Sequence, residues 1–467
     1  MNSSEQFKHY TEKVCEQIRW KKAHGVVAQE IENHLIDQKN AYMDMGDSES
    51  TAEEKALLQM GDPVTVGAAL DSTHKPAPQW GMIGLVMLLF LLGAVIQFLF
   101  LETVFQDVFQ GTSVNTLLLF LPISLAVFFA SYFLDFSFLG RHPFLFPGML
   151  FTIDILAQFW GVHSIGRNWL RIGSFSISPI SIAALFPLAF CGLFYYLRNK
   201  GNLGYLCSGL IAVLFCLQLL LCHSASGLIL FLFSAGILMV FAAFRCWFGK
   251  YTKHILAIFA ISGLLIGCLL LFTVPEYHYR FSHFISALHP EADPYGVGYL
   301  PNLLQNMLKN SVTLGKGMPV AGFLTQNDYF LTDFRSDYLL VFLAYQYGRA
   351  IAIGIVVLLL VFLILGFHKS LKQKSILGQM VSLCILCTFT AEILIYILVN
   401  IGYPVIAPIA LPFLSYGTTG LLINMFLAGI LLSSFRTGEV YRDKEKPVLG
   451  ESRFIQWNDG KLIISFK

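Results

Sequence analysis

Long apolar runs alternate with short polar connections over most of the chain, and one longer polar loop interrupts them at residues 276–337. A helix that crosses a bilayer needs roughly 20 consecutive apolar residues. Measured against that length, the pattern predicts about ten transmembrane helices and an all-α, polytopic membrane fold. The predicted runs cover residues 81–101, 116–134, 144–160, 177–197, 204–221, 227–244, 255–272, 338–367, 377–399 and 421–435.

Residues 1–78 differ from the rest because they are polar and charged, so they do not resemble a cleavable signal peptide. Their apolar residues recur at helical spacing, which predicts a small helical domain. One such stripe is Phe7, Tyr10, Val14 and Ile18. The membrane domain is then expected to cover residues 79–438, and residues 439–467 to form a cytoplasmic tail.

Composition also indicates an integral membrane protein. The 467-residue chain is 56% hydrophobic and only 13% charged, whereas soluble domains carry about 25% charged residues. The formal net charge of +2 gives no reason to expect a nucleic-acid partner. Cys384 and Cys387 form a C-x-x-C pair, but inside a lipid-length run, where they are expected to be buried apolar residues rather than a metal or redox site.

Positive charge divides the polar connections into two groups. Lys and Arg concentrate on alternate connections and in the first 78 residues, which assigns that side to the cytoplasm by the positive-inside rule. Both termini are therefore predicted to be cytoplasmic and the 276–337 loop to be outside. A site on the outer side has no access to cytoplasmic ATP or nucleotide sugars. A reaction there must use a lipid-carried or pre-activated substrate.

Strings in the second half of the chain carry a resemblance to a known family. They are D-P-x-G-x-G-Y at residues 293–299, L-G-K-G at residues 314–317 and L-P-F-L-S-Y-G at residues 411–417. Together with the number of predicted spans, they resemble the shape, elongation, division and sporulation family (RodA, FtsW and SpoVE). That family polymerises the glycan strands of peptidoglycan from lipid II on the outer face of the bacterial plasma membrane. In residues 1–78, I-E-x-H-L-x-D at 31–37 and G-D-P at 61–63 are similar to the prefix domain of some bacterial permeases.

The resemblance implies that Asp337 is a general base acting on an acceptor sugar hydroxyl. A glycine, Gly348, follows Asp337 at the family's spacing of eleven residues, whereas Asp333 repeats the family's T-D-F letters at the wrong spacing. Asp337 is also predicted to lie where the loop enters a helix, and the helix dipole favours an ionised carboxylate there. The alternative is that Asp337 only caps the helix, a common role for Asp.

The departing undecaprenyl diphosphate requires cations and hydrogen-bond donors. The candidate substrate-binding residues are Arg280, Lys316, Arg335, Arg167, Arg171, Ser415 and Tyr416. Each cation could equally face solvent or lipid headgroups. The residues imply no organic cofactor, and a divalent cation at the diphosphate stays an open alternative.

The chain departs from the family where the family carries charge. Ser181 and Ala184 replace a Glu and a Lys, Ala225 replaces an Asp, and Tyr345 and Gln346 replace a Glu-Glu pair. These substitutions make the chain a divergent member, so both polymerisation and a catalytically silent role stay open.

Three ionisable residues, Asp154, Arg349 and Glu392, lie within predicted spans. Such residues usually face the interior of a helix bundle, form pairs and mark a functional path. Arg349 is therefore a candidate partner for Asp154 or Glu392, in a structural or a functional role.

Three functions remain as hypotheses. The first is a glycosyltransferase that extends glycan from lipid II, with a class B penicillin-binding protein as partner, as in the family. The second is a transporter or flippase for a polyprenyl-linked precursor, which the intramembrane charges would suit. The third is a silent membrane partner of the cell-wall machinery. All three place the protein among membrane lipids.

Overall fold

The structure is a computed structural model that is mainly helical. It describes residues 3–74, 78–103, 112–164, 167–172, 175–177, 179–222, 224–273, 285, 288–296, 298–319, 334–403, 409–438, 455–458 and 461–464.

The first part of the chain forms four helices. They are α1 (Ser3–Glu16), α2 (His24–Asp44), α3 (Glu49–Met60) and α4 (Pro63–His74). Their apolar side chains pack into a cluster of their own, in which Val14 and Leu35 are fully buried. Gly61 ends α3 with a φ of +83°, a conformation that glycine adopts without steric cost. Asp62 Oδ2 then accepts a 3.0 Å hydrogen bond from the Thr65 N–H at the start of α4.

The next part of the chain is built from apolar helices and one small sheet. The helices are α5 (Trp80–Thr103), α6 (Thr112–Phe133), α7 (Phe138–Arg141), α8 (Leu145–Trp160), α9 (Pro179–Ala183), α10 (Phe186–Leu197), α11 (Gly201–Leu221), α12 (Ala225–Phe244) and α13 (Thr252–Thr273). Strands β1 (Val162–Ser164), β2 (Arg167–Ile172) and β3 (Phe175–Ile177) pair antiparallel between α8 and α9. Strands of three to six residues are too short to give a clear alternating pattern, so the sequence did not predict them.

The last part of the chain contains the most enclosed of the candidate membrane spans. Its elements are α14 (Tyr299–Asn310), α15 (Leu339–Gln346), α16 (Arg349–Lys372), α17 (Ile376–Asn400), α18 (Thr418–Thr437) and the antiparallel pair β4 (Ile455–Asn458) and β5 (Lys461–Ile464). In α17, 78% of the apolar 18-residue window is buried, against 28–61% in the other candidate spans. A helix that is apolar on all sides belongs in the interior of a bundle.

Seven helical segments among the described residues are long and apolar enough to cross a membrane. They are Trp80–Phe100, Thr116–Phe133, Ser181–Leu221, Ala225–Phe244, Arg349–Lys372, Ile376–Asn400 and Thr418–Thr437. The Ser181–Leu221 segment folds back on itself, since the ring of Phe190 in α10 lies 6.1 Å from that of Phe215 in α11. Shorter apolar helices occupy Leu145–Trp160 and Thr252–Leu265. The membrane class is thereby confirmed, and the number of ten spans stays a prediction.

The structure divides the eighth predicted span into two helices, α15 and α16. Gly348, at the break, has a φ of +116°, which favours glycine. The segment after α14 supplies hydrogen-bond partners for the backbone groups that the break leaves free. Val312 O accepts a 2.9 Å bond from the Arg349 N–H, and the Gly315 N–H donates a 2.9 Å bond to Tyr347 O. The prediction of one continuous helix is therefore wrong.

Helix α14 lies within residues 276–337, where the sequence pattern indicated only a polar loop. Its apolar side chains Leu303, Leu304 and Met307 are buried on one face, while the first and last residues of the helix are only partly buried. A single amphipathic helix of 12 residues satisfies its own backbone and packs on one side. The polar composition of the loop as a whole concealed this pattern.

Candidate functional site

Asp337 lies directly before α15, as the sequence predicted. It is half-buried, and it precedes the N-cap residue of α15, Tyr338, by one position. Within the part of the chain that the structure describes, the Tyr338 side chain makes no capping hydrogen bond. Since the first N–H groups of a helix have no partner within the helix, the start of α15 depends on partners from elsewhere.

Side chains of α17 provide those partners. Tyr396 Oη accepts a 2.9 Å hydrogen bond from the Leu339 N–H. Asn400 Oδ1 accepts a 3.1 Å bond from the Val341 N–H. The helix start beside Asp337 is thus held by a neighbouring helix, and its positive dipole end favours the ionised form of a nearby carboxylate.

Arg335 lies two residues before Asp337, and it is buried, with 6% of its surface exposed. Its Nε donates a 2.9 Å hydrogen bond to Gln97 Oε1 in α5. Its guanidinium carbon stands 4.0 Å from the centre of the Tyr416 ring, a distance at which the ring face stabilises a cation. The Tyr416 N–H also donates a 3.2 Å bond to Arg335 O. Three distant parts of the chain therefore meet at this guanidinium.

The Arg335 guanidinium retains an open hydrogen-bonding position. Its Nη2 is buried and has no hydrogen-bond partner among the described residues. Burial lowers the pKa of the guanidinium because the charged form loses hydration. A buried cation with a free N–H group is suited to an anionic ligand, and guanidinium groups bind phosphate oxygens through charge-assisted hydrogen bonds.

The loop at residues 411–417 closes one side of this cluster. Gln97 Nε2 donates a 2.9 Å hydrogen bond to Leu414 O, and Ser415 Oγ accepts a 2.8 Å bond from the Leu411 N–H. Gly93 allows the loop to lie against α5, because a Cβ at that position would come within 3.0 Å of the Leu414 Cα. Ser415 therefore shapes the loop that carries Tyr416.

A groove between α5 and α6 borders the same cluster. Gln97 and Tyr416, which both contact Arg335, form part of its lining. The rest of the lining is mostly apolar: Gly93, Ala94, Thr116, Leu117, Phe120, Leu121, Phe413, Leu414, Ser415, Gly417, Thr418 and Leu421. An apolar groove that ends near a buried cation is suited to an amphipathic ligand with an anionic head.

Three residues of the site were not identified from the sequence: Gln97, Tyr396 and Asn400. All three are polar side chains in or at the end of apolar helices, and all are almost fully buried. Polar residues in membrane helices generally face the bundle interior, so this pattern was the signal that could have identified them.

Comparison of the sequence with known proteins identifies its family. The FTSW_RODA_SPOVE family model, described as "Cell cycle protein", matches residues 79–438. The chain belongs to this family. Its relatives include the probable peptidoglycan glycosyltransferase FtsW of Trichlorobacter lovleyi, which is 25% identical over 306 residues that cover 62% of this chain and 74% of that protein. Stage V sporulation protein E of Bacillus subtilis is 26% identical over 285 residues, covering 59% and 73%.

Solved structures agree with the family fold. The structure titled "Structural coordination of polymerization and crosslinking by a peptidoglycan synthase complex" contains a chain with a TM-score of 0.59 at 19% identity, covering 79% of this chain and 99% of that one. Rod shape determining protein RodA of Thermus thermophilus gives a TM-score of 0.52 at 17% identity, with the same coverage. At these identities the likeness concerns the fold.

The structure does not bring the other candidate cations of this FtsW/RodA/SpoVE family member together with Arg335 among the described residues. Lys316 is exposed, and the Gly317 N–H beside it donates a 2.7 Å bond to Tyr345 O near the end of α15. At 1.5 Å per residue, that end of α15 is about 12 Å from the Asp337 end. Arg280 lies outside the described residues. Arg167 and Arg171 lie on β2, for which only the backbone is described.

Arg349 is not the intramembrane partner that the sequence suggested. It is the first residue of α16, and its Nη2 donates hydrogen bonds of 2.6 Å to Ser311 O and 3.1 Å to Leu308 O. The break before α16 brings Arg349 to the C-terminal end of α14, where the last carbonyls have no helical partner. Its expected pairing with Asp154 or Glu392 is therefore wrong.

Asp154 and Glu392 are both buried inside apolar helices, with 2% of their surface exposed. Among the described residues, Asp154 Oδ1 and Glu392 Oε2 have no hydrogen-bond partner. In the part of the chain that the structure describes, no ion pair joins either carboxyl to a Lys, Arg or His. Within the same part of the chain, no three His, Cys, Asp or Glu side chains form a group that could hold a metal ion.

Proposed function

We propose that this protein polymerises the glycan strands of peptidoglycan from lipid II, with Asp337 as the general base. The proposal rests on Asp337 and Arg335, which lie two residues apart on a segment held by side chains of α17. Asp337 stands beside a helix start that α17 holds, and two residues earlier the buried Arg335 keeps a nitrogen without a partner. These are a base and a cation, the two groups that the transfer of a diphosphate-activated sugar requires.

In the proposed reaction, the acceptor sugar hydroxyl attacks C1 of the donor sugar. A new C–O bond forms while the bond from C1 to the diphosphate oxygen breaks, and undecaprenyl diphosphate leaves. Asp337 takes the hydroxyl proton as the new bond forms and later releases it to water. Arg335 binds the diphosphate and stabilises the negative charge that develops on its oxygen.

The groove between α5 and α6 supports a lipid-linked substrate. Its lining is mostly apolar, and Gln97 and Tyr416 connect it to the guanidinium of Arg335. Its volume is about 20 Å³, room for roughly one water molecule, so a prenyl chain would bind there only if α5 and α6 moved apart. A divalent cation on the diphosphate would be a second way to neutralise its charge. The assay below should therefore be run with added Mg²⁺ and with EDTA.

The decisive experiment is glycan polymerisation by the purified full-length protein from fluorescently labelled lipid II. The partner that the family implies is a class B penicillin-binding protein, and a family-like chain occurs in a peptidoglycan synthase complex. The assay should therefore include and omit that partner. Polymer that appears on gels and disappears in Asp337→Asn supports the proposal. If no polymer forms under any of these conditions, the silent-partner hypothesis replaces it.

The proposed reaction also requires that the site face outward. Lys and Arg are concentrated on the opposite connections, which favours cytoplasmic termini and an outer location for the 276–337 loop. Reagents that cannot cross the membrane should label a single cysteine introduced at Gln326 in intact cells, but not one introduced at Ser48. The reverse labelling would contradict the proposed orientation.

One observation favours transport of a polyprenyl-linked precursor as a second candidate function. Glu392 is buried in α17, and an unpaired carboxyl inside a membrane helix often lies on a transport or proton path. In sealed proteoliposomes, transport would move labelled precursor across the bilayer without polymer formation. Glu392→Gln should then stop the movement and leave any polymerisation intact.

A further inference from the structure

Two side chains on one face of α17 hold the backbone on both sides of Asp337. Tyr396 Oη accepts from the Leu339 N–H at 2.9 Å and donates to Ser336 O at 2.8 Å. A single hydroxyl therefore connects the peptide groups immediately before and shortly after Asp337.

Asn400 makes a matching set of contacts one turn further along α17. Its Nδ2 donates a 3.0 Å hydrogen bond to the carbonyl oxygen of Asp337 itself. Its Oδ1 accepts a 3.1 Å bond from the Val341 N–H. The second N–H of the amide donates a 2.9 Å bond to Tyr396 O, so the amide is fully bonded and has a fixed orientation.

The burial of these two side chains makes the loss of their hydrogen bonds costly. Tyr396 has 0% and Asn400 has 2% of its surface exposed, so water cannot replace a lost partner, and each unpaired group would carry the full cost of desolvation. Residues four apart on a helix lie on the same face, which allows one rigid helix to present both groups. Helix α17 is also the most enclosed of the candidate spans.

We propose that Tyr396 and Asn400 are positioning residues that fix the Asp337 carboxylate for proton transfer. The proposal rests on the proposed function, because it needs Asp337 to act on a substrate. Neither side chain has to touch the substrate. Both act by keeping Asp337 within the small distance range in which a general base can accept a proton.

Tyr396→Phe and Asn400→Asp test the proposal with minimal change of size. Tyr396→Phe removes the two hydroxyl contacts with the backbone around Asp337, together with a contact to Ser415. Asn400→Asp keeps the acceptor for Val341 while losing both donors. Thr388→Val is the matched control, because Thr388 is a buried hydroxyl of α17 that bonds Cys384 O and Ser234 Oγ in α12 instead of the backbone around Asp337. Two measurements are made on each full-length protein: polymerisation kinetics, and hydrogen–deuterium exchange of peptides covering residues 336–345.

We expect both test variants to exchange faster than wild type at residues 336–345 and to lower kcat by roughly 10–100-fold, the effect of a small misplacement of a catalytic group. KM should stay unchanged, because substrate binding does not use these side chains. Thr388→Val should match wild type in both measurements. A merely structural role would instead lower the yield of folded protein and leave kcat per folded molecule unaltered.

The two measurements separate this proposal from the proposed function. Unchanged exchange in both test variants would overturn the anchoring, whatever the activity. Faster exchange with wild-type kcat would overturn the positioning role. If wild-type protein makes no polymer with any partner, the proposed function fails and the catalytic part of this inference fails with it. The exchange data would still decide whether α17 anchors the segment.

Discussion

Asp337→Asn separates a catalytic role for this residue from a role in capping α15. The amide keeps the size of the side chain and can still accept hydrogen bonds, but it cannot take a proton from a sugar hydroxyl. Asp337 precedes the N-cap residue of α15 by one position, so the substitution leaves the start of the helix with its partners from α17 in place.

The expected effects on activity and on stability differ in size. Removal of a general base lowers rate by about 10²–10⁴-fold, which corresponds to about 3–5 kcal/mol of activation free energy. Loss of a capping hydrogen bond costs only about 1 kcal/mol of folding free energy. The two N–H groups bonded by Tyr396 and Asn400 are unaffected, so the melting temperature should fall by no more than a few degrees.

The assay compares polymer formed per folded molecule, with the folded fraction taken from size-exclusion chromatography and a thermal melt in detergent. Asp333→Asn is the control, because Asp333 repeats the family's T-D-F letters at the wrong distance from Gly348. It should retain near wild-type activity. Equal turnover per folded molecule in Asp337→Asn and wild type would refute the assignment of Asp337 as the base.

Two further substitutions test the cation site and the helix break. Arg335→Met should lower kcat/KM for lipid II roughly 10–100-fold, the value of one charge-assisted hydrogen bond, as measured by initial rates against substrate concentration. Arg198→Met, at a buried arginine 5.0 Å from a tyrosine ring, should leave kcat/KM unchanged. Gly348→Ala should lower the melting temperature by several degrees, because a Cβ would lie 2.5 Å from Thr313 O at a φ of +116° and such strain costs about 1–3 kcal/mol. Gly354→Ala in open space on the same helix should not lower it, and equal melts for the two variants would contradict the account of the break.

The sequence was sufficient to predict helix boundaries and apolar runs, which depend on neighbouring residues. The apolar run that begins at residue 338 placed Asp337 where a loop enters a helix, and the structure puts it directly before α15. Gly61 and Pro63 separate α3 from α4, because their backbone preferences act locally. Hydropathy likewise identified the apolar runs, since lipid exposure constrains the composition of each run independently of its neighbours.

Hydropathy could not predict features that depend on distant partners. The run that contains α15 and α16 is continuously apolar, so only the hydrogen bonds from residues 311–318 reveal where it breaks. The placement of Arg349 followed from that break and was missed with it. Gln97 and Arg335 are 238 residues apart in the chain. Nothing in either local sequence indicates which helix the other one contacts.

Two of the family charges that the resemblance implies this chain has lost lie in a different part of the domain from the segment around Asp337. They are a Glu and a Lys, at the positions of Ser181 and Ala184. A Cβ on Gly420 would lie 3.8 Å from Ser181 Oγ, which places Ser181 near the first turn of α18. Ala184 is buried among apolar neighbours. None of the described hydrogen bonds that hold the backbone around Asp337 involves either residue. The loss of these two charges is therefore compatible with an intact base at Asp337.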